Sequence, residues 1–228
     1  MKMRRMVRTM IFSIVMMTML APLNIANAAE AKDSAAVRSD EHNSVVETEP
    51  VDIEYTLEGV PMVDVIEEIP RYYQNYYFYS FLPYGSGTLG SSGCGITSLA
   101  MVATYVLDDY TLTPDALAEE FGSYRGTNID RMEHAANELG IPFEKTFKWK
   151  SIVSALKDGK MAIILVNSNT KFTEGGHLML LTGITEDGLI YLHDPNYRNY
   201  EAYESQFETG FPQWEFIKGF QGGWIFEK

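Results

Sequence analysis

The hydrophobic period of this 228-residue chain changes once, near Gly159, and that change limits the folds open to it. Upstream, apolar residues recur at spacings of three and four. Ile96, Leu99, Ala100, Ala103 and Val106 share one helical face. Thr113-Pro114 starts a second helix, with Thr as cap and Pro at the first helical position, and leads Leu117, Ala118 and Phe121. A third is expected from 128 or 129 to 139, stopped by Gly140, and a further one over 151–157, ended by Gly159. Downstream, Met161–Val166 is a continuous apolar run of strand length, and 177–185 is a second. Asp187-Gly188 is a hairpin-turn pair, after which 189–192 returns as a third strand. Residues 197–212 read as an irregular, aromatic-rich loop, and 213–217 and 224–226 as strands that close the sheet. Helices first and an antiparallel sheet second make an α+β order.

The ends of the chain read differently. Lys2, Arg4, Arg5 and Arg8 precede an apolar run from Met10 to Leu23, and Ala26-Asn27-Ala28 follows with small residues where a signal peptidase reads. The run falls short of the ~20 apolar residues that span a bilayer. Residues 1–28 are therefore expected to be a cleaved signal peptide, leaving no stable membrane span. Residues 29–50 hold Ala, Ser, Glu and Asp and no aromatic residue, and are expected to be an acidic flexible spacer. The domain is expected over 51–228, a length that suits one core.

The formal charge of −13 includes the four leader cations, which leaves −17 after Ala28. A surface of that sign repels nucleic acid and anionic lipid and tolerates a basic peptide. Cys94 is the one cysteine, so no internal disulfide can form. In an exported chain an unpaired thiol is a chemical liability unless it is used.

Cys94 sits in Gly93-Cys94-Gly95 directly before the first helix, after a stretch from Pro83 to Gly93 that carries no regular pattern. A helix N-terminus stabilises a thiolate, and the flanking glycines suit a tight turn and the approach of a substrate backbone. A packed structural cysteine accounts for the same position equally well. A thiolate nucleophile needs a base. His42 falls in the spacer and His134 within a helix among charged residues, where both would be solvated. His177 follows Gly175-Gly176 and opens a strand downstream of the cysteine helix. Asp194, in His193-Asp194-Pro195-Asn196, ends the strand that the Asp187-Gly188 turn pairs with the His177 strand, so both fall near one end of the hairpin. Asp-Pro-Asn is also ordinary turn chemistry. A metal site from Glu174, His177, His193 and Asp194 is disfavoured, because His193 should face away from Asp194.

The stretches Pro83-Tyr84-Gly85, Gly90 through Met101, Thr113-Pro114, Gly175-Gly176-His177 and His193-Asp194-Pro195-Asn196 resemble, in order, the bacteriocin-processing-like (double-glycine leader peptidase-like) cysteine peptidases. The resemblance implies a papain-like cysteine peptidase fold. Its helical N-terminal half would carry the nucleophile, and its C-terminal half the antiparallel sheet. It also implies a Cys94, His177 and Asp194 triad, no cofactor, and a Gln upstream of the cysteine as oxyanion donor. Gln74, ten residues before Tyr84, matches that donor, although transporter-fused relatives place theirs much closer to the cysteine. The chain shows no transporter segment and no ATPase motif.

The leading reading is a secreted cysteine peptidase acting on a peptide or protein, including a cell-wall peptide. Two others stand beside it. One is a peptidoglycan amidase or endopeptidase. The other is a catalytically silent domain on the same fold that binds peptide or cell wall through the aromatic run from Tyr72 to Phe81. Oligomeric state is not legible, and Asn196 is a second candidate to orient His177.

Overall fold

A computed structural model describes residues 69–227. The expected signal peptide at 1–28, the spacer at 29–50 with His42, and the start of the expected domain through 68 lie outside the described residues. Among the described residues, no helix is long and apolar enough to cross a membrane.

A run of turns leads into a two-stranded hairpin, β1 (Pro83–Tyr84) with β2 (Gly87–Thr88), and a single helical turn, α1 (Leu89–Ser92). This corrects the expectation of no regular structure between 83 and 93. The cause is local polar exchange: Ser91 N–H donates to the Thr88 hydroxyl, and Thr88 N–H donates to the Ser91 hydroxyl. Such a box supports one turn without leaving any hydrophobic period to read.

The helical half follows as α2 (Cys94–Leu107), α3 (Pro114–Phe121) and α4 (Asn128–Glu138), then a short β3 (Glu144–Thr146) and α5 (Trp149–Lys157). Every residue of α2 from Cys94 to Thr104 is buried, so α2 is the central helix. His134 on α4 is not simply solvated, because its ring stacks on Tyr124 at 3.9 Å.

The sheet half holds β4 (Met161–Val166), β5 (His177–Ile184) and β6 (Leu189–His193). The Asp187-Gly188 turn joins β5 to β6, and Gly188 takes a φ of 83°, a conformation glycine adopts without strain. Residues 197–212 are not the irregular loop expected but α6 (Tyr197–Ala202), α7 (Glu204–Thr209) and β7 (Phe211–Pro212). Residues 213–217 do not form a strand either; they hold α8 (Trp214–Ile217), and the sheet is completed by β8 (Phe220–Phe226). These pieces are too short to carry a period. Of these, α7, β7 and α8 seat Phe207, Phe211 and Phe216 in the core beneath.

The six strands run β3-β8-β4-β5-β6-β7, every neighbouring pair antiparallel. The central strands are covered on both faces. Met161, Ile163, Leu178 and Leu180 pack with α2, α3 and α4, while Ala162, Ile164, Met179 and Leu181 pack with α5, α7 and α8. Double coverage is why β4 and β5 read as unbroken apolar runs rather than alternating ones. A polar tie fixes α4 to the sheet edge: Trp224 Nε1 donates to Glu133 at 2.7 Å, and Lys145 pairs with the same carboxylate at 2.6 Å.

Candidate active site

Cys94 is the first residue of α2, where helix geometry leaves its amide without an intrahelical acceptor. Cys94 as a residue is 9% exposed. The flanking glycines do something other than admit a substrate. Both are buried, and a Cβ on Gly95 would stand 2.8 Å from Leu178 Cδ1, while one on Gly93 would stand 2.4 Å from the Leu89 carbonyl. They let the start of α2 press against β5 and α1. That close contact brings the sulfur to the first residue of β5, His177.

His177 is 6% exposed and bridges two groups. Its Nε2 lies 2.7 Å from Asp194 Oδ1. That leaves Nδ1 for the hydrogen bond with the Cys94 thiol. The β5–β6 register, with Leu180 opposite His193, carries Asp194 one residue past β6 to the end where β5 begins, as the hairpin spacing predicts. Asp194 is 1% exposed and is itself held on both oxygens. Asn196 N–H donates to Oδ1 at 2.7 Å, and Asn199 Nδ2 donates to Oδ2 at 2.8 Å. Asn199 also donates to the Phe172 carbonyl at 2.9 Å, which ties the aspartate to the β4–β5 loop. Sequence reasoning missed Asn199, because the loop it was assigned to is α6. Asn196 does not orient His177: its Oδ1 receives the Asn75 side chain and the Arg198 amide.

The electrostatics follow from this arrangement. Burial works against a charged ring at His177, but the Asp194 carboxylate and the Cys94 sulfur outweigh it and hold its pKa up at about 10. Burial also raises the Cys94 thiol. The hydrogen bond and charge of His177, with the Leu178 and Gly95 amides, outweigh that and bring the thiol below its ordinary value. The two shifts favour a thiolate beside an imidazolium. His193 behaves oppositely. Burial and the nearby Arg71 push its pKa down to about 4, and it bonds the Pro70 carbonyl rather than joining the cluster.

Gln74 belongs to a segment far from Cys94 in sequence, pinned against the Asp194 loop. Its amide donates to the Pro195 carbonyl at 2.7 Å, and Tyr197 N–H donates to Asn75 Oδ1 at 3.1 Å. The Gln74 side chain donates to the Gly90 carbonyl at 2.8 Å, just ahead of the cysteine. Gln74, Cys94 and His177 line one open cleft of about 1400 Å³ whose other walls include Glu174, Arg198 and Asn199. All four residues singled out in the sequence thus border or support a single site.

The sequence model of the Peptidase_C39 like family matches residues 66–221, which contain every residue of this site. The chain belongs to the Peptidase_C39 like family. Both the family resemblance and the α+β, papain-like architecture expected from the sequence hold. A solved structure from Bacillus anthracis, assigned to the C39-like peptidases, is 16% identical, with a TM-score of 0.41 over 72% of this chain and 97% of its own. No curated protein matches. Within this C39-like frame helix α2, strand β5 and the loop after β6 each hold one member of the buried Cys-His-Asp cluster.

Proposed function

We propose that this protein is an exported cysteine-type hydrolase of peptide bonds that works through Cys94, His177 and Asp194. The observation that carries the reading is the His177 ring, held between the Cys94 thiol and the Asp194 carboxylate at the wall of an open cleft. The Cys94 sulfur attacks the carbonyl carbon of the scissile bond. The carbonyl electrons move to oxygen, which meets the Cys94 amide and the second Gln74 Nε2 hydrogen. His177 gives its Nδ1 proton to the departing amine as the C–N bond breaks, leaving a thioester. Water then attacks the thioester while His177 takes a proton from it, and the acid leaves with the thiol restored. Asp194 keeps the ring in place and balances its charge throughout.

The basic start, short apolar run and Ala26-Asn27-Ala28 site support export, with the chain beginning at Ala29. Mass spectrometry of secreted protein should find that N-terminus, and recovery of only full-length chain in membranes would contradict it. Catalysis is tested with a peptidyl acyloxymethyl ketone. Intact mass should show one adduct per chain in the wild type, none in Cys94→Ala, and slow or no addition in His177→Ala. Equal labelling of wild type and His177→Ala would count against a catalytic pair.

A further inference from the structure

The aromatic run that opens the domain builds a second cavity beside the catalytic cleft. Tyr73, Tyr76, Tyr77 and Tyr197, with Asn75, enclose about 430 Å³. Tyr76, Tyr77 and Tyr197 are 42%, 69% and 42% exposed, a dense set of open rings on one patch. The cavity has two aromatic walls. Tyr73 and Tyr197 meet edge to face at 5.1 Å on one side, and Tyr76 and Tyr77 meet at 5.0 Å on the other. These rings stay open where a packed core would have buried them.

The cavity adjoins the cleft. Asn75 lines both, and it follows Gln74, the residue assigned to the oxyanion. Its side chain is fixed in place, donating to Asn196 at 3.1 Å and accepting from Tyr197 N–H at 3.1 Å. Tyr197 in turn stands three residues beyond Asp194. This places the cavity on the loop that supports His177, the group that hands a proton to the departing amine. The amine half of the substrate must lie next to that proton donor, and the acyl half on the other side of the sulfur.

We propose that this tyrosine cavity is the leaving-group subsite of the enzyme, taking an apolar and preferably aromatic side chain from the first residues after the scissile bond. The inference rests on the proposed peptidase activity and adds its specificity. The rings offer faces and edges to a flat side chain, and Asn75 offers an amide at the mouth for the peptide backbone. A small residue there would leave the rings wet, and an acidic one would bring its charge against the ring faces of a chain that already carries a net charge of −13.

Binding can be read without catalysis. Phe-Ala-amide, Ala-Ala-amide, Asp-Ala-amide and the disaccharide diacetylchitobiose are titrated into the Cys94→Ala full chain and followed by NMR. Phe-Ala-amide should bind about fivefold or more tighter than Ala-Ala-amide, with Asp-Ala-amide weaker still. The difference should shrink in Cys94→Ala carrying Tyr76→Ala, and again with Tyr197→Ala, each checked for folding by its melting curve. Equal affinities in the Cys94→Ala chain, or tighter binding of the disaccharide, would overturn the subsite. Cleavage of matched peptides by wild type is scored separately. Selective binding without any cleavage would sink the peptidase reading and leave an apolar-peptide pocket, while cleavage indifferent to the residue after the bond would sink the subsite alone.

Discussion

Asp194 is where turn structure and the proposed catalysis overlap most closely at the level of single residues. It accepts from the Asn196 amide and from Asn199 while holding His177, so its removal acts on all three. Asp194→Asn keeps the size and one acceptor but loses the charge that raises the His177 pKa. Turnover should fall about tenfold to a hundredfold, equivalent to ~1.4–2.7 kcal/mol in barrier. Asp194→Ala should lose more turnover, because the ring is no longer oriented, and should also destabilise the fold by ~1–3 kcal/mol through the donors left without an acceptor. The pH profile separates orientation from charge. The proposed mechanism requires protonated His177, so activity should be present below that pKa and fall as pH rises through about 10 in the wild type. Without the Asp194 carboxylate that basic limb must move to lower pH in both variants. Full activity in Asp194→Ala, or an unmoved limb, would remove Asp194 from the catalytic set.

Element by element, the site depends on how tightly α2 meets β5. Gly95→Ala would ordinarily help a helix by up to about 1 kcal/mol. Here the new methyl falls 2.8 Å from Leu178 Cδ1, with the Asn128 carbonyl at 3.4 Å behind it, and overpacking costs ~1–3 kcal/mol. The clash should win, and urea unfolding should show a net loss of about 1 kcal/mol or more together with slower thiol alkylation; a gain in stability would mean the contact is slack. The long elements were legible because each carries a period over many residues: α2, α3 and α4, and the doubly covered β4 and β5. The short ones were not. At α1 a Thr88–Ser91 exchange makes the turn, and from α6 to α8 single aromatics anchor pieces of four to six residues. The placement of Cys94, His177 and Asp194 together was readable from helix start, strand start and hairpin count. Asn199 was not, since its role depends on α6 turning it back five residues onto Asp194, and the glycines beside Cys94 were read as open when they are packed.

The whole molecule joins two halves at one seam. The helical half supplies the sulfur, the sheet half supplies His177 and its carboxylate partner, and the opening aromatic segment sets Gln74 against the Gly90 carbonyl and the Pro195 loop. A chain that carries −17 over residues 29–228 would ordinarily disfavour a thiolate, since surrounding acids raise a thiol's pKa. Local geometry at the seam has to override that background. The rate of Cys94 alkylation by iodoacetamide across pH tests this most directly. The wild type should show a midpoint well below the free-thiol value of ~8.5, and His177→Ala should move it upward; a wild-type midpoint at or above ~8.5, or one unaffected by loss of His177, would contradict the thiolate–imidazolium pair on which the account rests.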